Sequence, residues 1–82
     1  MFQMYILYSK HLDRYYIGQT ENLKERLQSH LSGISGFTSK ANDWIVVYAE
    51  TFATREEAVK REREIKRKKS RKYIEWLIED ER

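Results

Sequence analysis

Arg26, His30 and Glu62, with the tyrosines Tyr5, Tyr8, Tyr15 and Tyr16, stand out among the side chains of this sequence that could move a proton or hold a developing negative charge. Arg26 and His30 are four residues apart, so on a helix they stack one above the other. At about 100° per residue, that stripe lies beside the Leu23, Leu27 and Leu31 stripe rather than opposite it. Both groups then sit at the border of a core, able to point across the surface the helix covers. A border arginine paired with a carboxylate, and a border histidine that only fills space, would account for the pair without any chemistry.

Glu62 is harder to explain as packing. With Ala58 taken as the zero of a helical wheel, Ile65 falls at about −20° and Glu62 at about +40°. The carboxylate therefore shares the stripe of the two residues expected to face the core. It needs a cation, a hydrogen-bond donor or a metal there, because unpaired burial of a charge is costly. Arg26 is the obvious partner for a structural ion pair. The other reading makes Glu62 an oxygen ligand for an ion such as Mg²⁺, which takes one or two carboxylates and completes its shell with water and phosphate. Strand side chains alternate, so Tyr15 and Tyr16 point to opposite faces and only one of them can join a site on the Arg26 side. Gly18 shares the face of Tyr16, and its missing side chain would let a phosphate approach the sheet. Taken singly, each tyrosine is equally well read as an ordinary β-core residue.

The elements that must position these groups follow from pattern. QMYILYS (3–9) is β-rich and apolar on both parities, as in a strand covered on both faces, and YYIGQ (15–19) follows the polar break KHLDR, giving an antiparallel hairpin. Asn22 with Glu25 opens an amphipathic helix over 23–31, which Gly33 and Gly36 end. The stretch 32–43 reads as a loop, and WIVVYAETF (44–52) as the third strand. Thr54 with Glu57 is a capping box that opens a long helix through about Lys69. Ser70 caps a last short helix with Tyr73, Ile74, Leu77 and Ile78 on its apolar side. The expectation is a single α+β domain over residues 1–82, a three-stranded antiparallel sheet flanked by helices in the order ββαβαα.

Composition sets the limits. A chain of 82 residues has a thin core, and without cysteine it has no disulfide or thiolate staple, which makes a cytoplasmic location the default. Eleven aromatics help to close that core although 35% of the residues are charged. No apolar run approaches a membrane span, and MFQMYILYSK has no signal-peptide pattern. The net charge of +3 conceals an asymmetry. Residues 60–72, KREREIKRKKSRK, hold nine Lys or Arg against two Glu, a local +7 that leaves −4 on the rest. A localised basic segment is the footprint of a polyanion binder, and equally of a solvated, charge-rich helix face.

Together these residues resemble the GIY-YIG nuclease superfamily, in particular its small single-domain bacterial members. Tyr16-Ile17-Gly18 reads YIG, and QTENLKERLQSH after it has the family's helix start followed by Arg and His at the spacing of Arg26 and His30. Tyr5, eleven residues before Tyr16, matches the last tyrosine of the first motif, written here QMY, with Gln3 in place of that motif's glycine. KREREIK resembles the segment that carries the family's metal-binding glutamate, which falls on Glu62. The resemblance runs from about Tyr5 to Ile78. Some members carry a further His or Lys after the first helix, where this chain offers Thr38, Ser39 and Lys40.

The resemblance implies a divalent-metal-dependent endonuclease that hydrolyses phosphodiesters in nucleic acid, DNA ahead of RNA. The implied cofactor is Mg²⁺, with Mn²⁺ as the alternative. Its catalytic residues would be Tyr5, Tyr16, Arg26, His30 and Glu62, with Glu62 also the metal ligand. Tyr5 would take the proton of the attacking water, assisted by Tyr16 and His30, while the planar fork of Arg26 suits two phosphate oxygens. Lys60, Arg61, Arg63, Lys66, Arg67, Lys68, Lys69, Arg71 and Lys72 would contact flanking phosphates, which give affinity without sequence information. Specificity would then come from nucleic-acid shape or from a partner protein. Two other readings use the same residues: a nucleic-acid-binding module with weak or no turnover, and a domain that docks its basic helix on an acidic protein.

Overall fold

The computed structural model describes residues 1–32 and 37–80. Its elements are β1 (Phe2–Ser9), β2 (Arg14–Thr20), α1 (Leu23–Leu31), a 3₁₀ turn at Phe37–Lys40, β3 (Ile45–Phe52), α2 (Arg55–Lys68) and α3 (Arg71–Asp80). This is the expected α+β order ββαβαα, with each boundary within a residue or two of the sequence reading. The sheet is antiparallel in the order β2-β1-β3.

The central place of β1 explains its uninterrupted apolar run. Met4, Tyr5, Ile6 and Leu7 are all buried, because each parity of the strand meets its own core. On one face Met4 and Ile6 join Tyr48, Ile65, Ile74 and Leu77, so α2 and α3 cover that side. On the other, Tyr5 and Leu7 join Trp44, with Tyr16, Leu23 and Leu27 packed against them, so α1 covers the opposite side. A fully buried Leu, Ile or Met contributes about 1.5–3 kcal/mol, which makes β1 the strand on which both layers depend. The pairing with β3 shifts between Ile6 and Leu7: Ile6 faces Tyr48 and Leu7 faces Val46, so Val47 is the extra residue of a bulge.

Local caps place the helices. The Asn22 side chain accepts the Glu25 backbone N–H at 3.2 Å, and Thr54 Oγ1 accepts that of Glu57 at 3.2 Å. Ser70 Oγ accepts the Tyr73 N–H at 3.1 Å, as expected of a cap for α3. Between α2 and α3, Lys69 takes a left-handed conformation with φ 49°, which turns the chain back over the sheet. The glycines expected to end α1, Gly33 and Gly36, lie outside the described residues; Leu31 is the last helical residue and Ser32 the cap.

A polar clasp seats the loops at the far end of β1. Ser9 Oγ donates to Asp43 Oδ1 at 2.6 Å, and the His11 backbone N–H donates to Asp43 Oδ2 at 2.9 Å. These bonds hold the Asp43 carboxyl below the usual carboxylate range, Ser9 contributing most. The clasp ties the β1–β2 turn to the start of β3 and so fixes Trp44 beneath α1.

Candidate active site

Tyr5 is the centre of the α1 face. Register pairs it with Gly18 on β2 and Ala49 on β3, two residues that offer almost no side chain. A Cβ on Gly18 would stand 2.7 Å from the Tyr5 hydroxyl and 3.1 Å from the Tyr16 ring. The space beside Tyr16 expected to admit a phosphate is therefore taken by the phenol of Tyr5. Gly18 serves the site by seating the tyrosine.

The Tyr5 hydroxyl lies 2.9 Å from His30 Nε2, a contact between two buried groups. The Tyr16 ring completes the cluster, its centroid 4.9 Å from that of His30 and 6.4 Å from that of Tyr5. Tyr15 points to the other face and packs with the α2 side, as alternation requires. His30 does not occupy the border expected of it: it is wholly buried, whereas Leu31 is exposed. Helix α1 is thus rolled so that Leu23, Leu27 and the Arg26/His30 stripe face the sheet. The hydrogen bond to Tyr5 allows this, since it gives the buried imidazole a polar partner.

Arg26 faces both phenols, and its own pKa is raised chiefly by Tyr5. Burial pushes the Tyr5 phenol up to about 12; Arg26 opposes that shift, while Tyr16 and the Glu62 carboxylate add to it. Burial also lowers the pKa of His30, and the charge of Arg26 lowers it further. With Tyr5 protonated and His30 neutral, Tyr5 O–H donates to Nε2 in the tautomer that carries its proton on Nδ1.

Glu62 bears on this cluster from the other layer through its charge. On α2, Ala58 and Ile65 are fully buried as the wheel requires, while the Glu62 side chain keeps 18% exposure at the rim. Its ion-pair partner is Lys66 Nζ at 2.5 Å, one turn along, and not Arg26 as the sequence suggested. Lys66 lines a hollow with Tyr16 and Ile17, so this flank of α2 overhangs the edge strand β2. Among the described residues no group of three or more His, Cys, Asp or Glu is placed to hold a metal ion. A single carboxylate at an open rim still suits Mg²⁺, which keeps several waters and takes substrate phosphate oxygens as ligands.

The basic segment divides by helical phase. Lys60, Arg63 and Arg67 line one exposed hollow on the outer face of α2. Arg61 turns the other way, its Nε and Nη2 donating to Glu50 at 2.9 and 3.1 Å and its Nη1 lying 3.3 Å from Glu64. Tyr48 also donates to Glu50. Arg61 is therefore an internal strut between α2 and β3, unlike the free phosphate contact the charge run implied. Arg71 is likewise engaged, with Asp13 at 2.6 Å and Glu75 at 3.3 Å, whereas Lys68, Lys69 and Lys72 are exposed. Ser39 and Lys40 lie in the 3₁₀ turn, on the side of α1 marked by Leu31 and Ser32; the side chain of Thr38 lies outside the described residues.

A groove of about 1150 Å³ runs from the end of β2 along α1, and Lys24, Arg26, Gln28 and Arg55 are among the residues that line it. Lys24 and Arg55 were not singled out from the sequence, because single cations outside the basic run carry no pattern. Among the described residues no helix is long and apolar enough to cross a membrane.

Comparison with known proteins agrees with the geometry. A UPF0213 protein from Streptococcus pneumoniae serotype 4 is 38% identical over 68 residues, covering 82% of this chain and 69% of the relative. A UPF0213 protein from strain R6 of the same organism matches to the same extent. No solved structure matches the chain. The GIY-YIG catalytic domain matches residues 1–74, so the match spans every element from β1 into α3. The chain belongs to the GIY-YIG catalytic domain family.

Proposed function

We propose that the chain is a divalent-metal-dependent endonuclease that hydrolyses phosphodiesters in nucleic acid, DNA ahead of RNA. The observation that carries this reading is the Tyr5 hydroxyl, held between the Arg26 guanidinium and His30 Nε2. A phenol with a pKa near 12 is a poor base alone, because so little of it is ionised at neutral pH. With a neutral imidazole behind it, Tyr5 can take the proton of an attacking water while its own proton passes to His30 Nε2. Arg26, which lines the groove along α1, would hold two non-bridging phosphate oxygens with its fork and counter the charge that builds on them. Tyr16 packs against both rings.

Glu62 is the residue that would hold the metal. A bound Mg²⁺ or Mn²⁺ would neutralise charge on the departing oxygen. Lys60, Arg63, Arg67 and the exposed lysines after them would bind flanking phosphates, with any sequence or structure preference supplied by nucleic-acid shape or by a partner protein. The ion pair of Glu62 with Lys66 favours a second reading, a nucleic-acid-binding module with little turnover, since the carboxylate already has a cation. Incubating the protein with single-stranded, duplex and branched DNA and RNA, with and without Mg²⁺ or Mn²⁺, separates the two: metal-dependent scission supports the nuclease, and tight binding without scission supports the module.

A further inference from the structure

On α3, Ile74 and Leu77 face the core, yet Trp76 on the opposite side is 56% exposed. A single exposed tryptophan needs no explanation. This one is stacked on Tyr73, with centroids 5.9 Å apart and planes 28° from parallel. Tyr73 is fixed from beneath by Arg61 Nη1, 3.4 Å from its hydroxyl, and Lys68 Nζ lies 5.3 Å from the centre of its ring. The result is an aromatic step with a cation beside it, built on the strut that joins α2 to β3.

We propose that Tyr73 and Trp76 form a platform on which an unpaired base of the nucleic-acid substrate stacks, with Lys68 and Lys72 holding the adjoining phosphates. This rests on the nucleic-acid reading above and adds the substrate class: a strand with at least one unpaired base. An aromatic face among cations accepts any base, because every base has a π face, and such stacking is sequence-tolerant. The platform and the candidate active site lie on opposite flanks of α2. Arg61, at about −60° on the wheel, points to the platform, and Glu62, at about +40°, to the site. The basic outer face, Lys60, Arg63 and Arg67 at about 140–200°, lies between them. A strand anchored at Trp76 could pass over that face to the site at the β2 edge. In a duplex the bases are already stacked on one another and cannot use the platform.

The test uses the intact protein in EDTA, a short fluorescein-labelled oligothymidylate, and the same strand annealed into a duplex. Trp44 is buried, so a change in tryptophan emission on adding oligothymidylate reports Trp76. Saturating single strand should quench that emission and duplex should not. Trp76→Ala should weaken single-strand binding by about 5- to 150-fold, with Trp76→Phe recovering part of the loss. The salt dependence should keep its slope, since no phosphate contact is removed. Single-strand binding that leaves the tryptophan emission and the Trp76→Ala affinity unchanged overturns the platform while leaving the nucleic-acid reading intact. Failure of every oligonucleotide to bind overturns both. Self-association of the protein that Trp76→Ala abolishes would make this face a contact between copies and overturn the proposal.

Discussion

Tyr5 and Gly18 stand opposite each other across β1 and β2, and the phenol of the first fills the place of the side chain the second lacks. Gly18→Ala would put a methyl 2.7 Å from the Tyr5 hydroxyl and 2.9 Å from its ring. A buried ring cannot yield as a flexible chain would, so the variant should lose about 1–3 kcal/mol of stability as the phenol is pushed aside. Cleavage should fall further than the folded fraction does, because the Tyr5–His30 contact is what moves. A urea titration and a rate on the same sample check this; an unchanged rate per folded molecule would show that the position of Tyr5 does not matter.

The buried His30 sets an acid limit. Only the neutral imidazole can accept from Tyr5, and burial with the nearby Arg26 lowers its pKa below the ordinary 6.5. Cleavage should therefore persist through pH 6.5 and decline only below it. Stability carries the same sign. The unfolded chain takes up the proton first, so the contribution of His30 is fully present above its unfolded pKa and is lost as pH falls toward the folded one. His30→Gln should flatten that part of the stability profile. A wild-type rate already halved above pH 6.5 would contradict the buried, neutral assignment.

Cations on the two sides of α2 should behave oppositely. Replacing Lys60, Arg63 and Arg67 by Gln should reduce the salt dependence of DNA binding, by about 0.9 in log–log slope for each duplex phosphate no longer neutralised, and leave the unfolding midpoint close to the parent. Arg61→Gln should do the reverse. It breaks a half-buried pair with Glu50 and should lower stability by about 1.5–3 kcal/mol with the slope kept. Equal effects from the two sets would mean that helical phase does not sort these residues.

The contrast shows which information the sequence carried. Elements with local signals were legible: the caps at Asn22, Thr54 and Ser70 and the two-sided strand QMYILYS each announce themselves within a few residues. So was the gathering of Tyr5, Tyr16, Arg26 and His30, through the family resemblance. What escaped depends on contacts far apart in the chain. The roll of α1 that buries His30 needs Tyr5, twenty-five residues earlier, as a partner. The seat Gly18 provides is visible only once register places it across from Tyr5. Arg61 looks like its basic neighbours until Glu50 is known to lie across from it. Helical phase alone does not choose the partner of Glu62: Arg26 on the neighbouring helix was the cation expected, and Lys66, four residues away on its own helix, holds it.

That local pairing changes what Glu62→Gln should do. Had the partner been Arg26 in the core, removing the charge would have destabilised the protein strongly. Lys66 is 52% exposed, and an exposed i,i+4 pair is worth only about 0.3–0.5 kcal/mol. The variant should unfold at nearly the parental midpoint and bind DNA, yet lose Mg²⁺-dependent cleavage, since the amide no longer recruits the ion. Metal-dependent cleavage at the parental rate would remove Glu62 from the site.

Tyr5→Phe is the most direct test, because it deletes one oxygen atom from the centre of the proposed chemistry. The measurement is the single-turnover rate of nucleic-acid cleavage in saturating Mg²⁺, for the parent and Tyr5→Phe side by side, with binding of the same substrate measured in parallel. The parent should cleave, and the variant should bind as tightly but cleave about 10²–10⁴ times more slowly, the loss expected when a positioned proton acceptor is removed. Equal rates for the two proteins, or a parent that cleaves no nucleic acid with either Mg²⁺ or Mn²⁺, would contradict the account.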